Sequence, residues 1–457
     1  MLRFTAALFA FAVALYATPG GLSSAQSSPA ADAWLLISDI HFNPFDDPTL
    51  VDALTRAPAS EWAAVFAQSS AAPSPYFKDT NAALLRSALT AMTANVPQPP
   101  VVIVAGDFLG HNFPALFAAA EPGKTHADYE VFVDKTIAFL ASRLDAAYPH
   151  ARFVIAVGNN DGYCGDYQST PRDAFLTHMA AAFEPLVDRD GAAPNFVRDF
   201  SNGGYYATAL PGNERTGGGE AFVLNSVYWS AKFTNACGAA SSDPGSDELE
   251  WLASELARPA HGYRWLLTHI PPSIDAFTSL LAKQPVAFMQ PRYAERLIAL
   301  ATAPDARASA MVFGHLHHAE FEIVGANAKS ALPGLVVPSI SPVQGNAPAF
   351  VTASVDQNSG VLSDTETFAE TLANNGWSRT YTFDAAFGTS AFDAPNLLAL
   401  QRRLALDPSL RATFFAHYNS ESAVAAVVPA SWPWYWCAQT SVDDAGYAAC
   451  TASAGRP

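Results

Sequence analysis

The chain has no pair of cysteines at CxxC spacing, which excludes a thiolate zinc site as its organising feature. It also lacks long apolar runs: none reaches the ~18 to 20 residues that a membrane-spanning helix requires. Basic residues are scarce, 25 Lys and Arg against 42 Asp and Glu, for a net charge of -17. Such a surface repels polyanions, so nucleic acid is not expected as a partner. A phosphate-binding glycine loop is missing as well. The stretch from Gly212 to Glu220 holds four glycines but without that spacing, and it reads as a mobile loop between strands.

What is present begins with Met1 to Ala25, where Arg3 precedes an apolar run from Phe4 to Ala17 and a small-residue segment, Ser23-Ser24-Ala25. That order is the pattern of a secretory signal peptide. Residues 26–33 are rich in Ser, Ala and Pro and read as a flexible lead-in. The mature chain is then expected to be secreted or periplasmic, without stable membrane insertion. Four cysteines in an exported chain suit two disulfides. Of the three possible pairings, Cys437 with Cys450 and Cys164 with Cys237 is expected, since the first pair is close in sequence and brackets a compact tail.

From Trp34 onward, apolar stretches of strand length alternate with helix-like segments. The strands expected are Trp34 to Ser38, Val101 to Ala105, Phe153 to Val157, Ala221 to Val227, Arg264 to Thr268 and Ala310 to Phe313. A helix is expected over Asp79 to Asn95, another after Asp128, and a third started by Asp247 with Glu250 as a capping pair. Further β-like runs fall between Leu335 and Val361. Beyond Asn374-Asn375-Gly376 the texture turns helical, with Asn396 to Tyr418 as the main element. This alternation predicts an α/β layered core.

Chemistry-bearing residues follow the strands. Asp39-Ile40-His41 follows the first, and Gly106-Asp107 with His111 follows the second. Gly158-Asn159-Asn160-Asp161 follows the third, His269-Ile270-Pro271-Pro272 the fifth, and Gly314-His315-Leu316-His317-His318 the sixth. Ligand-binding groups in open α/β sheets gather beyond the carboxyl ends of strands, so these loops are expected to converge. Two divalent ions roughly 3.5 to 4 Å apart need a carboxylate that bridges them and nitrogen or oxygen ligands around it. Asp107 is the natural bridge.

The series Asp-x-His, Gly-Asp-x-x-x-His, Gly-Asn, His and Gly-His-x-His resembles the calcineurin-like metallophosphoesterases. With His269-Ile270-Pro271-Pro272 and the tail from Trp377 to Cys450, it is most similar to their acid sphingomyelinase-like phosphodiesterase branch. The resemblance covers roughly residues 34 to 457, without the lipid-recruiting domain that precedes the catalytic part of the sphingomyelinase itself. It implies a four-layer metallophosphatase sandwich, two central β-sheets flanked by helices, as a catalytic domain over 34–375. A small helical C-terminal subdomain would follow over 376–457. It also implies one metal held by Asp39, His41, Asp107 and His317, a second held by Asp107, Asn159, His269 and His315, and a bridging hydroxide as nucleophile. Zinc suits this donor set, while manganese or iron(II) would tolerate it. Purple acid phosphatases, a related family, place a tyrosine ligand three residues after the bridging aspartate. Gly110 stands there in this chain, which argues against an iron(III) tyrosinate.

One departure bears on the substrate. The family pattern reads Gly-Asn-His, and that histidine is thought to protonate the leaving group, whereas this chain has Asn160. An amide can hydrogen-bond a phosphate oxygen but cannot deliver a proton near neutral pH. His111 is the best replacement, with His318 behind it. Gly-Asn-Asn-Asp also resembles the endopolyphosphatases of the same broad family. The substrate expected is a small phosphorylated molecule: a phospholipid headgroup, or alternatively a nucleotide or oligophosphate cleaved at a phosphoanhydride. A non-catalytic, metal-dependent receptor for a phosphorylated ligand is the reading of another class. His126, His150, His178, His261 and His417 lie in no motif and are read as structural. Asp161, Tyr163 and Asp166 are read as solvated loop or cleft residues, and Trp432-Pro433-Trp434-Tyr435-Trp436 as a plug of the tail against the core.

Overall fold

Apolar strands without polar alternation need cover on both faces, and two sheets stacked face to face provide it. The computed structural model describes residues 33–212, 218–234, 243–260, 262–325, 331–371, 376–424, 427 and 429–454. The expected signal peptide, nearly all of the lead-in, Cys237, His261, Asn374, Asn375 and most of the Gly212 to Glu220 loop lie outside these. The expected pairing of Cys164 with Cys237 falls there too.

The chain lays down one sheet, crosses to the other, and returns. β1 (Ala33–Ile37), β2 (Val101–Val104) and β3 (Arg152–Ile155) are parallel neighbours. β4 (Tyr206–Leu210), β5 (Gly219–Leu224), β6 (Arg264–Thr268), β7 (Ala308–Phe313), β8 (Glu320–Val324) and β9 (Leu332–Val336) make the second sheet, in the order β4-β5-β6-β7-β9-β8. Within it β5, β6, β7 and β9 run parallel, and the two edges are antiparallel. β10 (Ala349–Val355), β11 (Leu362–Thr371) and β12 (Gly376–Thr382) then complete the first sheet, in the order β12-β11-β10-β1-β2-β3.

Alternation along the second sheet decides the layering. Ala221, Val223, Trp265, Leu267, Ala310 and Val312 join the core between the sheets. Their neighbours Phe222, Leu224, Leu266, Met311 and Phe313 point the other way, as the period of two requires. That outer face is covered by the helices Pro244–Leu256 and Pro291–Ala301. Trp34 of β1 meets Trp265 of β6 with ring centroids 4.9 Å apart, and the Tyr206 hydroxyl of β4 donates to the Ile155 carbonyl of β3 and accepts from its N–H. Helices Ala82–Asn95, His126–Ala147 and Ala174–Val187 pack beside the first sheet. The four-layer α/β sandwich is therefore present, followed by a helical C-terminal region.

Four local expectations change. The helix expected from Asp79 begins at Ala82, because Asn81 is its N-cap and accepts from Leu84 N–H. The third helix starts at Pro244 with Asp243 as cap, so Asp247 lies inside its first turn. Residues 376–382 are a strand, β12, rather than the start of the helical region, because they pair antiparallel with β11. Asn396 to Tyr418 is two helices, Ala394–Leu406 and Pro408–Tyr418. Pro408 cannot continue the first ladder, and Asp407 ends one helix while capping the next.

The tail folds back on the second sheet. Cys437 and Cys450 are joined, with Cα atoms 5.8 Å apart. Trp432 packs edge-on against Phe414 and Phe415, and the Trp436 indole donates to the Gln401 carbonyl. These contacts fit a plug. Edge strand β8 is covered by the same region: Ala319 N–H donates to the Tyr418 carbonyl and Ile323 N–H to the Gln439 carbonyl.

Candidate metal centre

Backbone hydrogen bonds bring the five motif loops together. Asp39 N–H donates to the Gly106 carbonyl at 3.0 Å and His41 N–H to the Asp107 carbonyl at 2.9 Å, so the loops after β1 and β2 run side by side. Gly314 N–H donates to the His269 carbonyl at 3.0 Å, tying the loop after β7 to that after β6. His269 Nδ1 donates to the Ala105 carbonyl at 2.7 Å and so links the two sheets.

The loops are tightly constrained. Asp39, His41, Asp107, His315 and His317 all have positive φ, between 43° and 71°, a region costly for residues with a side chain and concentrated at functional sites. Gly106, at φ 96°, occupies a conformation that glycine adopts without steric cost. Gly158 serves otherwise, by close approach: a Cβ there would lie 2.0 Å from Asp107 Oδ1.

The side chains converge on Asp107. Its Oδ2 lies 3.4 Å from His41 Nε2 and 3.3 Å from His269 Nε2. Asp39 Oδ1 lies 3.3 Å from His317 Nε2 and 3.7 Å from His41 Nε2. The Nε2 atoms of His41 and His317 are 3.2 Å apart. Asn159 directs Oδ1 to His269 Nε2 at 3.0 Å, because its Nδ2 donates to Asp166 at 2.6 Å. His315 stands against His269, rings T-shaped at 5.1 Å, with its Nε2 3.4 Å from the Tyr167 hydroxyl. Its backbone N–H donates to Asp39 at 3.0 Å.

These groups suit metal. His41 Nδ1 donates to the Leu109 carbonyl and His269 Nδ1 to the Ala105 carbonyl, so the Nε2 lone pair of each ring faces the cluster. The facing Nε2 atoms of His41 and His317 can share a proton or, with both rings neutral, a metal ion. Ligand atoms of Asp39, His41 and Asp107 lie within 4.8 Å of one another, as do those of His41, His111 and His317.

Electrostatics make the same demand. Burial would lower the pKa of His41, but Asp107 and Asp39 outweigh it and raise the ring to about 9. His269 follows the same balance, burial against Asp107, and also reaches about 9. His315 and His317 go the other way, held well below the usual value by burial and the neighbouring imidazoles. Burial opposes ionisation of Asp107, yet His269 and His41 keep it far below the ordinary carboxylate range. In effect, protons on two imidazoles supply the positive charge that metal ions would otherwise bring.

The remaining sequence candidates separate by contact. His111 lies beside the cluster, stacked on His41 at 4.1 Å, with its Nδ1 2.8 Å from Asp79 Oδ1 and its backbone N–H donating to Asp79 Oδ2 at 2.8 Å. Asn160 turns to Asp107: its backbone N–H and Nδ2 donate to the two carboxylate oxygens at 2.8 and 2.9 Å. His318 stacks on Tyr418 at 4.6 Å, and burial pushes it down to about 4. Asp161 is buried rather than solvated, and accepts from the N–H groups of Phe108, Leu109 and Gly158. The Tyr163 hydroxyl donates to Asp134, and Asp166 lines the cavity. His126, His150 and His178 are exposed and His417 stacks on Tyr381, away from the cluster.

A cavity of about 550 Å³ opens over Asp107, Asn159, His315 and His317. Sequence reasoning missed Asp79, taken for the start of a helix, and Lys232 and Tyr167, which belong to no motif. Lys232 Nζ lies 3.4 Å from the Tyr167 hydroxyl and 5.0 Å from the centre of its ring.

No family model matches the chain. It is 23% identical over 400 residues to the human acid sphingomyelinase-like phosphodiesterase 3b, covering 83% of this chain and 82% of that protein. It is 24% identical to the Dictyostelium discoideum sphingomyelinase phosphodiesterase D, covering 67% and 66%. A shorter match, 27% identical, joins 29% of this chain to 22% of the Schizosaccharomyces pombe endopolyphosphatase. Among solved structures, a purple acid phosphatase from yellow lupin aligns over 75% of this chain and 55% of that one, at 10% identity and a TM-score of 0.36.

Proposed function

We propose that this chain, a metallophosphoesterase of the acid sphingomyelinase-like branch, hydrolyses phosphodiesters in the cavity above Asp107. One observation carries the reading: Asp107 Oδ2 stands almost equidistant from His41 Nε2, at 3.4 Å, and His269 Nε2, at 3.3 Å, the disposition a bridging carboxylate needs. In this reading Asp39, His41, Asp107 and His317 hold one divalent ion, and Asp107, Asn159, His269 and His315 hold the other. Zinc is the favoured metal, since four imidazoles with hard oxygen ligands suit it, though manganese or iron(II) fits the same shell. Bound ions would supply Lewis acidity toward the phosphoryl oxygens and lower the pKa of water.

The chain's own part is orientation and proton delivery. Asn160 holds both Asp107 oxygens, and Asp166 fixes which Asn159 atom faces the cluster. Asp79 engages His111 through Nδ1, which leaves Nε2 to protonate the departing alkoxide. Lys232, in the cavity wall, attracts the anionic substrate. The apolar leader of residues 1–25 and the disulfide between Cys437 and Cys450 support export to the periplasm or medium.

The test is turnover of bis(p-nitrophenyl) phosphate by the metal-loaded protein. Activity should disappear on chelation and fall about a hundredfold or more in Asp107→Asn with an unchanged circular dichroism spectrum, as loss of a metal-bridging ligand implies. Binding of phosphate esters without cleavage would instead support a receptor. A second reading, phosphoanhydride hydrolysis, is favoured by Asn160, because a phosphate leaving group needs less protonation than an alkoxide. Parallel assays on sphingomyelin, ATP and polyphosphate separate the two, and a clear preference for sphingomyelin would remove the second.

A further inference from the structure

Strands β1, β2, β3, β6 and β7 lead into the ligand loops, whereas β5, the neighbour of β6, leads into Asn225-Ser226. Neither residue belongs to the ligand set, yet both are completely buried, as is Glu248 of the helix Pro244–Leu256. The ladder between β5 and β6 closes at Leu224 and Thr268, so the next backbone N–H, that of Asn225, needs a partner away from water. Glu248 Oε1 accepts it at 2.6 Å. Asn225 Nδ2 donates to Ser169 Oγ and to the Gly203 carbonyl, both at 3.0 Å, and its Oδ1 accepts from Val227 N–H at 3.3 Å.

Two arms run from this point to metal ligands. Ser226 Oγ accepts from Ile270 N–H at 2.8 Å, and the carbonyl of the same peptide unit, that of His269, accepts from Gly314 N–H at 3.0 Å. The peptide after His269 is thus held at both edges, which fixes the ring that reaches the Ala105 carbonyl through Nδ1. On the other arm, Tyr167 N–H donates to the Asn159 carbonyl at 2.8 Å, and two residues on, Ser169 meets Asn225. His269 Nε2 and Asn159 Oδ1, 3.0 Å apart, are therefore braced from one place. Ligands of the first ion hang on other bonds: Asp39 N–H on the Gly106 carbonyl, His41 N–H on the Asp107 carbonyl and His41 Nδ1 on the Leu109 carbonyl. Loss of a group that orients a ligand costs about 10- to 100-fold in metal affinity, and here the cost should fall on one ion.

We propose that Ser226, Asn225 and Glu248 are positioning residues that set the affinity of the ion assigned to Asp107, Asn159, His269 and His315, and leave the other ion untouched. This rests on the two-ion reading of the centre, so the experiment measures binding apart from turnover. Zinc is titrated calorimetrically into the full-length protein after chelation, with urea unfolding alongside. The wild type should take up two ions. Ser226→Ala, which removes only the acceptor for Ile270 N–H, should weaken one of them about tenfold or more and leave the other unchanged. Glu248→Leu should do the same. Burial holds the Glu248 carboxyl well above its ordinary pKa, so Glu248→Gln, neutral and with an acceptor oxygen in place, should restore both affinities. Turnover of bis(p-nitrophenyl) phosphate by Ser226→Ala should fall at limiting zinc and recover in excess zinc. If Ser226→Ala does not fold, Ser169→Ala, which cuts the arm to Asn159, carries the same expectation. A lower urea midpoint with both affinities unchanged, or with both falling together, overturns the proposal and leaves these residues a purely structural role. Selective loss of one ion in the variants, with no ester turnover by the wild type, overturns the hydrolase reading and leaves the brace standing.

Discussion

Asp161 and Glu322 are both buried acids, and each predicts a different experiment. Asp161 gathers three backbone N–H groups from the loops after β2 and β3. Asp161→Ala would strand those donors, and a loss of about 3 kcal/mol or more in urea unfolding is expected. Glu322 is raised from 4.5 to about 8 by burial. Its folded-state pKa exceeds the unfolded one, so its contribution is fully present below about pH 4.5 and is lost as pH rises through about 8. His41 and His269, raised from 6.5 to about 9 in the metal-free cluster, add a loss of the same sign between those values. Chelated Glu322→Gln should therefore gain in urea midpoint relative to the wild type as the pH rises from 5 to 8, a comparison in which the opposing titration of His315 and His317 cancels. Zinc affinity should rise over the same interval, because metal and proton compete for the two imidazoles. Gly158→Ala should lower metal stoichiometry, measured by atomic emission, since its Cβ would press on the Asp107 carboxylate.

Elements that carry the motifs were legible in the sequence because β1, β2, β3, β5, β6 and β7 are short apolar runs, each buried against both neighbouring layers. Histidine and aspartate placed directly after such runs could be read as one cluster, and the structure brings Asp39, His41, Asp107, Asn159 and His269 into contact with His317 and His315 nearby. β11 and β12 were not legible: LSDTETFAET and GWSRTYT mix polar and apolar residues, as an outer antiparallel strand allows. β8 was hidden for another reason, since its buried face carries Glu320 and Glu322, which hydrophobic patterning reads as exposed. Asp79 escaped because its partner His111 is 32 residues away, beyond any local pattern. Helix boundaries failed where one residue serves two elements. Asp407 ends Ala394–Leu406 and accepts from Ser409 and Leu410 of the next helix. Asp407→Ala should cost about 1 kcal/mol, the usual loss of an N-cap, by thermal or urea unfolding.

At the scale of the whole molecule, the disulfide between Cys437 and Cys450, 13 residues apart, tightens a segment whose Tyr435 lines the cavity and packs on Tyr418. Replacing both cysteines with serine should lower stability by about 3 kcal/mol on loop-closure grounds, read as a lower unfolding midpoint. The tail has one more effect, through the Ile323 N–H bonded to the Gln439 carbonyl. Strand β8 is the rim of its sheet, and a rim left bare is a template for the next chain. A protein clipped before Trp432 would keep its catalytic loops yet offer that template to its copies, so proteolytic shortening should be read out first as oligomers and precipitate.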